Sequence, residues 1–166
     1  MRDPLDNIQN ILIAPHQGGF GAKRKYDIHT GIDFYCNEGD KVYAMEDGEI
    51  INICWFTGPK ADLPWWNDTQ AILVKGKSGV ILYGELIPSD DVVSNGVLSC
   101  NRIQTGMLVK EGDVLGTIKT VLKEYKGLPM NMLHLELYEH DYLGDGEIWL
   151  LDQEKPDKLK DPSLLW

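Results

Sequence analysis

The stretch KYDIHTGIDFY at residues 25–35 places His29 and Asp33 four positions apart, with Gly31 between them. In a regular strand these two side chains share a face but lie about 13 Å apart. Zinc ligand atoms lie roughly 2.0–2.2 Å from the metal, so both side chains reach one ion only if the chain bends between them. Gly31 permits such a bend. The spacing alone leaves two interpretations open, half of a metal site or two solvated side chains.

A second histidine lies in a strand-like run, MLHLELYEH at 132–140. In a strand, alternate side chains point to opposite faces. The leucines of this run are therefore expected in the core, and His134 on the opposite face, where a side chain can reach an open site. A hydrogen-bonded or solvated His134 is the alternative. The predicted core residues of the run are Leu133, Leu135 and Leu137.

The rest of the chain is typical of an all-β protein, because short apolar or alternating runs recur between turn signals. AILVKGKSGVILYGEL (71–86) predicts a hairpin, and TGMLVKEGDVLGTI (105–118) predicts a strand, turn and strand in the same way. VLKEYKG (121–127) is compatible with one or two helical turns. The segment 57–68 is long for a hairpin connection. Its paired aromatics, Trp65 and Trp66, either line a groove and contact a ligand or cap the edge of the core.

Composition narrows the function classes. The chain has 166 residues, which fits one domain, and a net charge of −10, which argues against binding nucleic acid or anionic membranes. No run approaches the ~20 apolar residues of a membrane span. No signal peptide is recognisable, so a cytoplasmic location is the default expectation. An odd cysteine count without a CxxC pair argues against a disulfide framework, and buried free thiols are expected at Cys36, Cys54 and Cys100.

Several motifs in order resemble the lysostaphin-type (LytM-type) zinc metallopeptidases, which cleave peptide cross-bridges in bacterial peptidoglycan. The resemblance implies a single domain over 1–166, with a core at about 12–143 and a C-terminal tail at 144–166. The implied fold is a barrel-sandwich hybrid of antiparallel strands. A carrier-type hybrid barrel with a phosphorylated histidine is a weaker alternative, because no second histidine pairs with His134. The motifs are FGAKRKYDIHTGIDFYCNEGDKVYAMEDGEI (20–50), VILYGEL (80–86), TGMLVKEGDVLGTI (105–118), MLHLELY (132–138) and KDPSLLW (160–166).

By this resemblance, His29, Asp33 and His134 are zinc ligands. Two imidazoles and one carboxylate leave a fourth position open to water, as in catalytic rather than structural zinc sites.

The chain departs from the family at two positions, where the usual catalytic histidines are replaced by Glu85 and Met132. Met132 neither accepts a proton nor donates a hydrogen bond, so it is expected only to line the substrate pocket. Glu85 is the predicted general base. A fourth metal ligand, a partner for a cationic substrate group, or an exposed residue without a role are the alternatives for Glu85.

Two functions follow from the resemblance. One is a zinc-dependent peptidase-like domain that acts on peptidoglycan or a related peptide with an altered site. The other is a catalytically inactive, zinc-containing module that binds a peptide, glycan or protein. The charged segment KTVLKEYKGLPMN (119–131) differs from the family's Gly-rich stretch, so one wall of the groove is expected to be reshaped.

Overall fold

The structure is a computed structural model that describes residues 1–8, 10–90 and 102–166, and the backbone of 92–94 and 97–99. Within these residues the chain forms short strands and two single-turn 3₁₀ helices. The 3₁₀ helices are Pro59–Ala61 and Pro162–Leu165. The strands are β1 (Asp27–Ile28), β2 (Ile32–Tyr35), β3 (Lys41–Tyr43), β4 (Gly48–Thr57), β5 (Thr69–Gly76), β6 (Val80–Pro88), β7 (Val92–Ser94), β8 (Val97–Ser99), β9 (Leu108–Val109), β10 (Val114–Ile118), β11 (Met132–Tyr138), β12 (Trp149–Leu150) and β13 (Leu159–Lys160).

One large sheet organises the molecule. It runs in the order β13-β11-β6-β5-β4-β9, with β2 also paired to β11, β10 to β6 and β3 to β10. Two small sheets, β1-β12 and β7-β8, lie beside it. Every pairing between these strands is antiparallel. The predicted fold class, an antiparallel all-β architecture, is confirmed.

The local predictions had mixed outcomes. The hairpin at 71–86 is confirmed as β5 and β6, with a positive φ at Gly79 in the turn. The two strands predicted at 105–118 exist, but β9 pairs with β4 while β10 pairs with β3 and β6. The prediction that they form a hairpin with each other is therefore wrong. No helix lies at 121–127.

The core lies against one face of β11. Leu133, Leu135 and Leu137 are buried in the main apolar cluster, as the alternation predicted. The C-terminal tail returns to this body, where the Trp166 ring lies 5.6 Å from that of Phe34. Leu165 also packs on the cluster, whereas Leu164 is exposed, so only part of the predicted tail contact is present.

The register of β11 places the candidate site. His134 lies opposite Asp33 of β2 on one side and Gly84 of β6 on the other. Beyond Gly84 the neighbour of β6 changes from β11 to β10, and the register with β5 shifts. Glu85 sits at this irregularity with φ 68°, in the left-handed region that non-glycine residues rarely adopt. Such irregularities re-aim a side chain away from the regular alternation.

Candidate metal centre

Three side chains that the sequence analysis assigned as ligands come together. Asp33 Oδ1 lies 3.1 Å from His29 Nε2 and 2.9 Å from His134 Nδ1. The two imidazole nitrogens are 3.1 Å apart. All three residues are buried. Atoms bound to one tetrahedral zinc at about 2.0–2.2 Å lie roughly 3.3–3.6 Å from each other, so the cluster needs only a small expansion to hold an ion.

In each of the two histidines, the hydrogen bond at the ring nitrogen that faces away from Asp33, the outer nitrogen, fixes the tautomer. His29 Nδ1 donates to the backbone carbonyl of Gly19 at 3.0 Å, because a carbonyl oxygen can only accept. His134 Nε2 donates to Glu136 Oε1 at 3.0 Å. Both inner nitrogens therefore present lone pairs towards the Asp33 carboxylate. Three acceptors at this separation need a metal ion or a proton between them, and outer-shell hydrogen bonds of this kind orient metal-ligating histidines. The donor set fits zinc.

Burial and hydrogen bonding set the charges. Burial lowers the pKa of His29, so its imidazole is neutral and ready to ligate. Burial would raise the pKa of Asp33, but the His134 and His29 imidazoles beside it outweigh burial, and the net pKa is lowered. Burial would lower the pKa of His134, yet hydrogen bonds to Asp33 and Glu136 raise it to about 10. In the metal-free protein a proton on His134 thus takes the place of the cation.

Gly31 is required for a different reason from the predicted one. Its φ lies outside the left-handed region, so conformational freedom is not what the position demands. A Cβ there would stand 2.4 Å from the Leu135 carbonyl oxygen and 2.8 Å from His134 Nε2. Any side chain at this position would displace the ligand histidine, so Gly31 supplies space rather than a bend.

Glu136 and Thr30 form a support behind His134 that the sequence analysis missed. The Thr30 hydroxyl donates to Glu136 Oε1 and the Tyr138 hydroxyl donates to Oε2, both at 2.5 Å. Burial would raise the pKa of Glu136, but these donors and His134 lower it, so the carboxylate is ionised. The position of Glu136 two residues beyond His134, on the same strand face, was the available signal.

Arg24 supports Asp33 from the other side and was also missed. Its Nη2 donates to Asp33 Oδ2 at 2.8 Å, and its Nε and Nη2 both donate to the Gln17 carbonyl. The guanidinium thus holds the carboxylate so that Oδ1 faces the histidines.

Glu85 lies beside the cluster but is not one of the three candidate metal ligands. The residue is 8% exposed, and its Oε2 is buried without a hydrogen-bond partner. Burial and repulsion by Asp33 raise the pKa of Glu85 to about 8, against smaller opposing effects of His134 and Arg24. The alternative that Glu85 is an exposed residue without a role is wrong, because the residue is buried.

The cluster opens into a groove of about 570 Å³ that His29, His134 and Glu85 all line. Of the two predicted aromatic contacts, Trp66 lines the groove, whereas Trp65 is 59% exposed and does not.

Met132, the third predicted substrate contact, is not among the residues that line this groove. It lies opposite Tyr35 on β2, two register pairs before His134 and Asp33.

The segment 119–131 acts on the groove indirectly. None of its residues lines the groove, so the segment does not itself form a wall. Instead it anchors the loop that does. Leu122 pairs with Trp66, and the Asn67 amide donates to the Val121 carbonyl at 2.8 Å. Lys123 Nζ donates to the Pro64 carbonyl at 2.8 Å.

Of the predicted buried thiols, Cys36 and Cys54 are free and only half-buried. Burial raises the pKa of Cys36 to about 12 and that of Cys54 to about 11. Cys100 lies outside the described residues. The described residues contain no helix long and apolar enough to cross a membrane.

Comparison with solved structures identifies the fold. A crystal structure of a proposed M23 peptidase from Pseudomonas aeruginosa matches 98% of this chain and 48% of its own length, with 18% identity and a TM-score of 0.50. The chain has the lysostaphin-type peptidase fold. The solution structure of lysostaphin also matches, over 83% of this chain and 43% of its own, with 17% identity and a TM-score of 0.50. No protein-family model and no curated protein sequence matches the chain. It spans about half the length of the lysostaphin-type structures it matches.

Proposed function

We propose that the chain is a zinc-dependent, peptidase-like hydrolase that acts on peptide bonds of peptidoglycan or a related peptide. One observation carries the proposal. His29, Asp33 and His134 converge, and both histidines line an open groove together with Glu85, whose buried Oε2 has no hydrogen-bond partner among the described residues. A closed structural site would have neither the groove nor the unpaired carboxylate beside it. We further propose that residues 1–166 act as one domain, since Trp166 Nε1 donates to Asp3 Oδ1 at 2.8 Å.

The three ligands would hold the ion, and Arg24 and Glu136 would keep Asp33 and His134 in position. A zinc ion in this site supplies Lewis acidity towards a water molecule and a substrate carbonyl. Glu85 would accept the proton that the water gives up. A general base works best with a pKa near the operating pH. Burial raises the pKa of Glu85 above its usual value, and a cation in the site would lower it again.

Arg24 would compensate for the missing histidine at position 132. Its Nη1 has no hydrogen-bond partner among the described residues and is not among the buried atoms, while the residue lines the groove. A guanidinium has five N–H donors, and those on Nη1 stay available to developing negative charge. Loss of one such donor typically costs about 100–1,000-fold in rate, so Arg24→Met is expected to lower kcat by a factor in that range.

The test compares zinc-loaded wild type with Glu85→Gln on purified peptidoglycan and on glycine-rich peptides, followed by release of new amino groups. Glu154→Gln, an exposed position outside the groove, is the matched control. We expect cleavage by wild type and the control, and none by Glu85→Gln with its zinc content unchanged. Equal cleavage by Glu85→Gln and wild type would remove Glu85 from the mechanism. No cleavage by wild type above a chelated sample would overturn the hydrolase proposal.

The second candidate is a zinc-containing binding module without catalysis. It is favoured by the lack of any second-histidine counterpart in the groove, since His16 and His140 do not line it and Met132 lies apart from it. The same experiment separates the two candidates when fragment binding is measured alongside. Tight fragment binding without release of amino groups would support the module.

A further inference from the structure

Four carboxylates in the groove lack a partner of opposite charge. Asp27, Asp62, Asp145 and Glu147 line it, and none of them forms an ion pair with another described residue. Some carboxylates outside the groove, by contrast, are paired. Lys110, for example, lies 2.8 Å from Asp47 and Lys158 lies 2.9 Å from Asp141.

The two cationic side chains of the groove are already engaged. Arg24 binds Asp33, and the Lys60 ammonium lies 4.2 Å from the centre of the Trp55 ring. Lys60 keeps its charge in this contact and can offset only one carboxylate, so most of the negative charge of the groove is left for a ligand to balance.

Glu85 is a second and independent sign of a missing positive partner. It is more than nine-tenths buried, and its Oε2 is unpaired at the groove. A buried carboxylate oxygen without a donor costs free energy in the empty protein. A ligand that brings N–H donors into the groove would relieve that cost.

The acidic groups lie mainly on one wall. Asp27 belongs to β1 and lies opposite Leu150 of β12, and Asp145 and Glu147 immediately precede β12 in the chain. This acidic wall (Asp27, Asp145 and Glu147) stands in the same groove as Trp55, Trp66 and Trp149. Carboxylates together with aromatic faces are the chemistry that recognises ammonium groups.

We propose that the groove selects peptides that carry a primary ammonium group, on a lysine-like side chain or a free amino terminus, with the acidic wall as its contact. The inference rests on the proposed function, because it names the substrate class of the same site. A bound divalent cation would offset its ligand Asp33 and leave the acidic wall unpaired. Neutral glycine-only peptides would then be poorer ligands than peptides of the same length with one lysine.

The experiment measures equilibrium binding to the zinc-loaded protein by tryptophan fluorescence. Three peptides differ at one position, which is lysine, norleucine or glutamate in an otherwise glycine-rich sequence. Two exposed ion pairs together typically change Kd by about 2- to 30-fold. We expect the lysine peptide to bind about tenfold more tightly than the norleucine peptide, the glutamate peptide to bind most weakly, and the differences to shrink at high salt.

A double variant locates the effect. Asp145→Asn with Glu147→Gln should remove most of the lysine preference, whereas Asp152→Asn with Glu154→Gln, exposed and outside the groove, should retain it. Equal affinity for the lysine and norleucine peptides would overturn the inference, as would a lysine preference that survives the Asp145 and Glu147 changes. Lysine preference without any cleavage would overturn only the hydrolase proposal, and cleavage without lysine preference only this inference.

Discussion

Glu85→Gln should change how the stability of the metal-free protein depends on pH. Burial raises the pKa of Glu85 from 4.5 to about 8 in the folded chain. Between these values the folded state binds a proton that the unfolded state has released, so the free energy of unfolding falls as pH rises. Below pH 4.5 the carboxyl is protonated in both states and costs nothing.

The expected loss is about 1.4 kcal/mol per pH unit, or about 3 kcal/mol between pH 4.5 and pH 7. Glutamine has no such titration. The stability of Glu85→Gln relative to wild type should therefore rise by about 3 kcal/mol over this interval. Any fixed cost of the buried amide cancels, because it does not vary with pH.

The assay is urea unfolding in the presence of a chelator at half-unit steps from pH 4.5 to pH 7. Glu154→Gln is the control, since this exposed side chain forms no ion pair with another described residue. Its stability curve should run parallel to that of wild type. If the Glu85→Gln curve also runs parallel, within ~1 kcal/mol, the carboxyl is hydrated or paired in solution and the reasoning from its burial is refuted.

Three further predictions concern the metal centre. Gly31→Ala should sharply weaken zinc binding, because the new Cβ would stand 2.8 Å from His134 Nε2. Calorimetric titration with zinc measures the affinity. An unchanged affinity would contradict the close approach of residue 31 to the His134 ring. Glu136→Gln should weaken zinc affinity about 10–100-fold, since outer-shell partners of ligand histidines have effects of this size. Competition with a fluorescent chelator measures this affinity. The zinc affinity of Thr30→Ser should stay near that of wild type, because serine keeps the hydroxyl. Removing zinc should lower the midpoint of thermal unfolding, because free zinc at 100 times its Kd stabilises the folded state by about 2.7 kcal/mol. A midpoint that changes neither when chelator is added nor when zinc is added back would show that no ion binds the folded chain.

Much of the fold could be predicted from the sequence, because strand alternation and turn residues are local signals. Alternation in MLHLELY predicted a strand whose leucines are buried, and β11 has that arrangement. The glycines around KGKSG predicted the β5-β6 turn. The actual partners of β9 and β10 were not predicted, because long-range packing decides which strands pair. β9 pairs with β4, and β10 pairs with β6.

The site was predictable only in part. The three ligand types could be read from the motifs, but the reason for Gly31 depends on a carbonyl of β11 that lies far along the chain. Arg24 likewise gains its role only when β2 and the preceding loop are in place. The sequence could not show which of Trp65 and Trp66 lines the groove. An irregular loop has no periodicity from which the direction of two adjacent side chains can be predicted.

The central claim is that His29, Asp33 and His134 bind one divalent cation. Elemental analysis of the zinc-loaded, extensively dialysed protein tests it most directly, with His134→Ala and His140→Ala compared side by side. His140 is exposed, its Nε2 lies 2.9 Å from the Lys77 carbonyl oxygen, and it lies outside the groove. We expect one zinc per chain in wild type and His140→Ala, and a loss of nearly all zinc in His134→Ala. Equal zinc content in His134→Ala and wild type, or no zinc in wild type, would contradict the account.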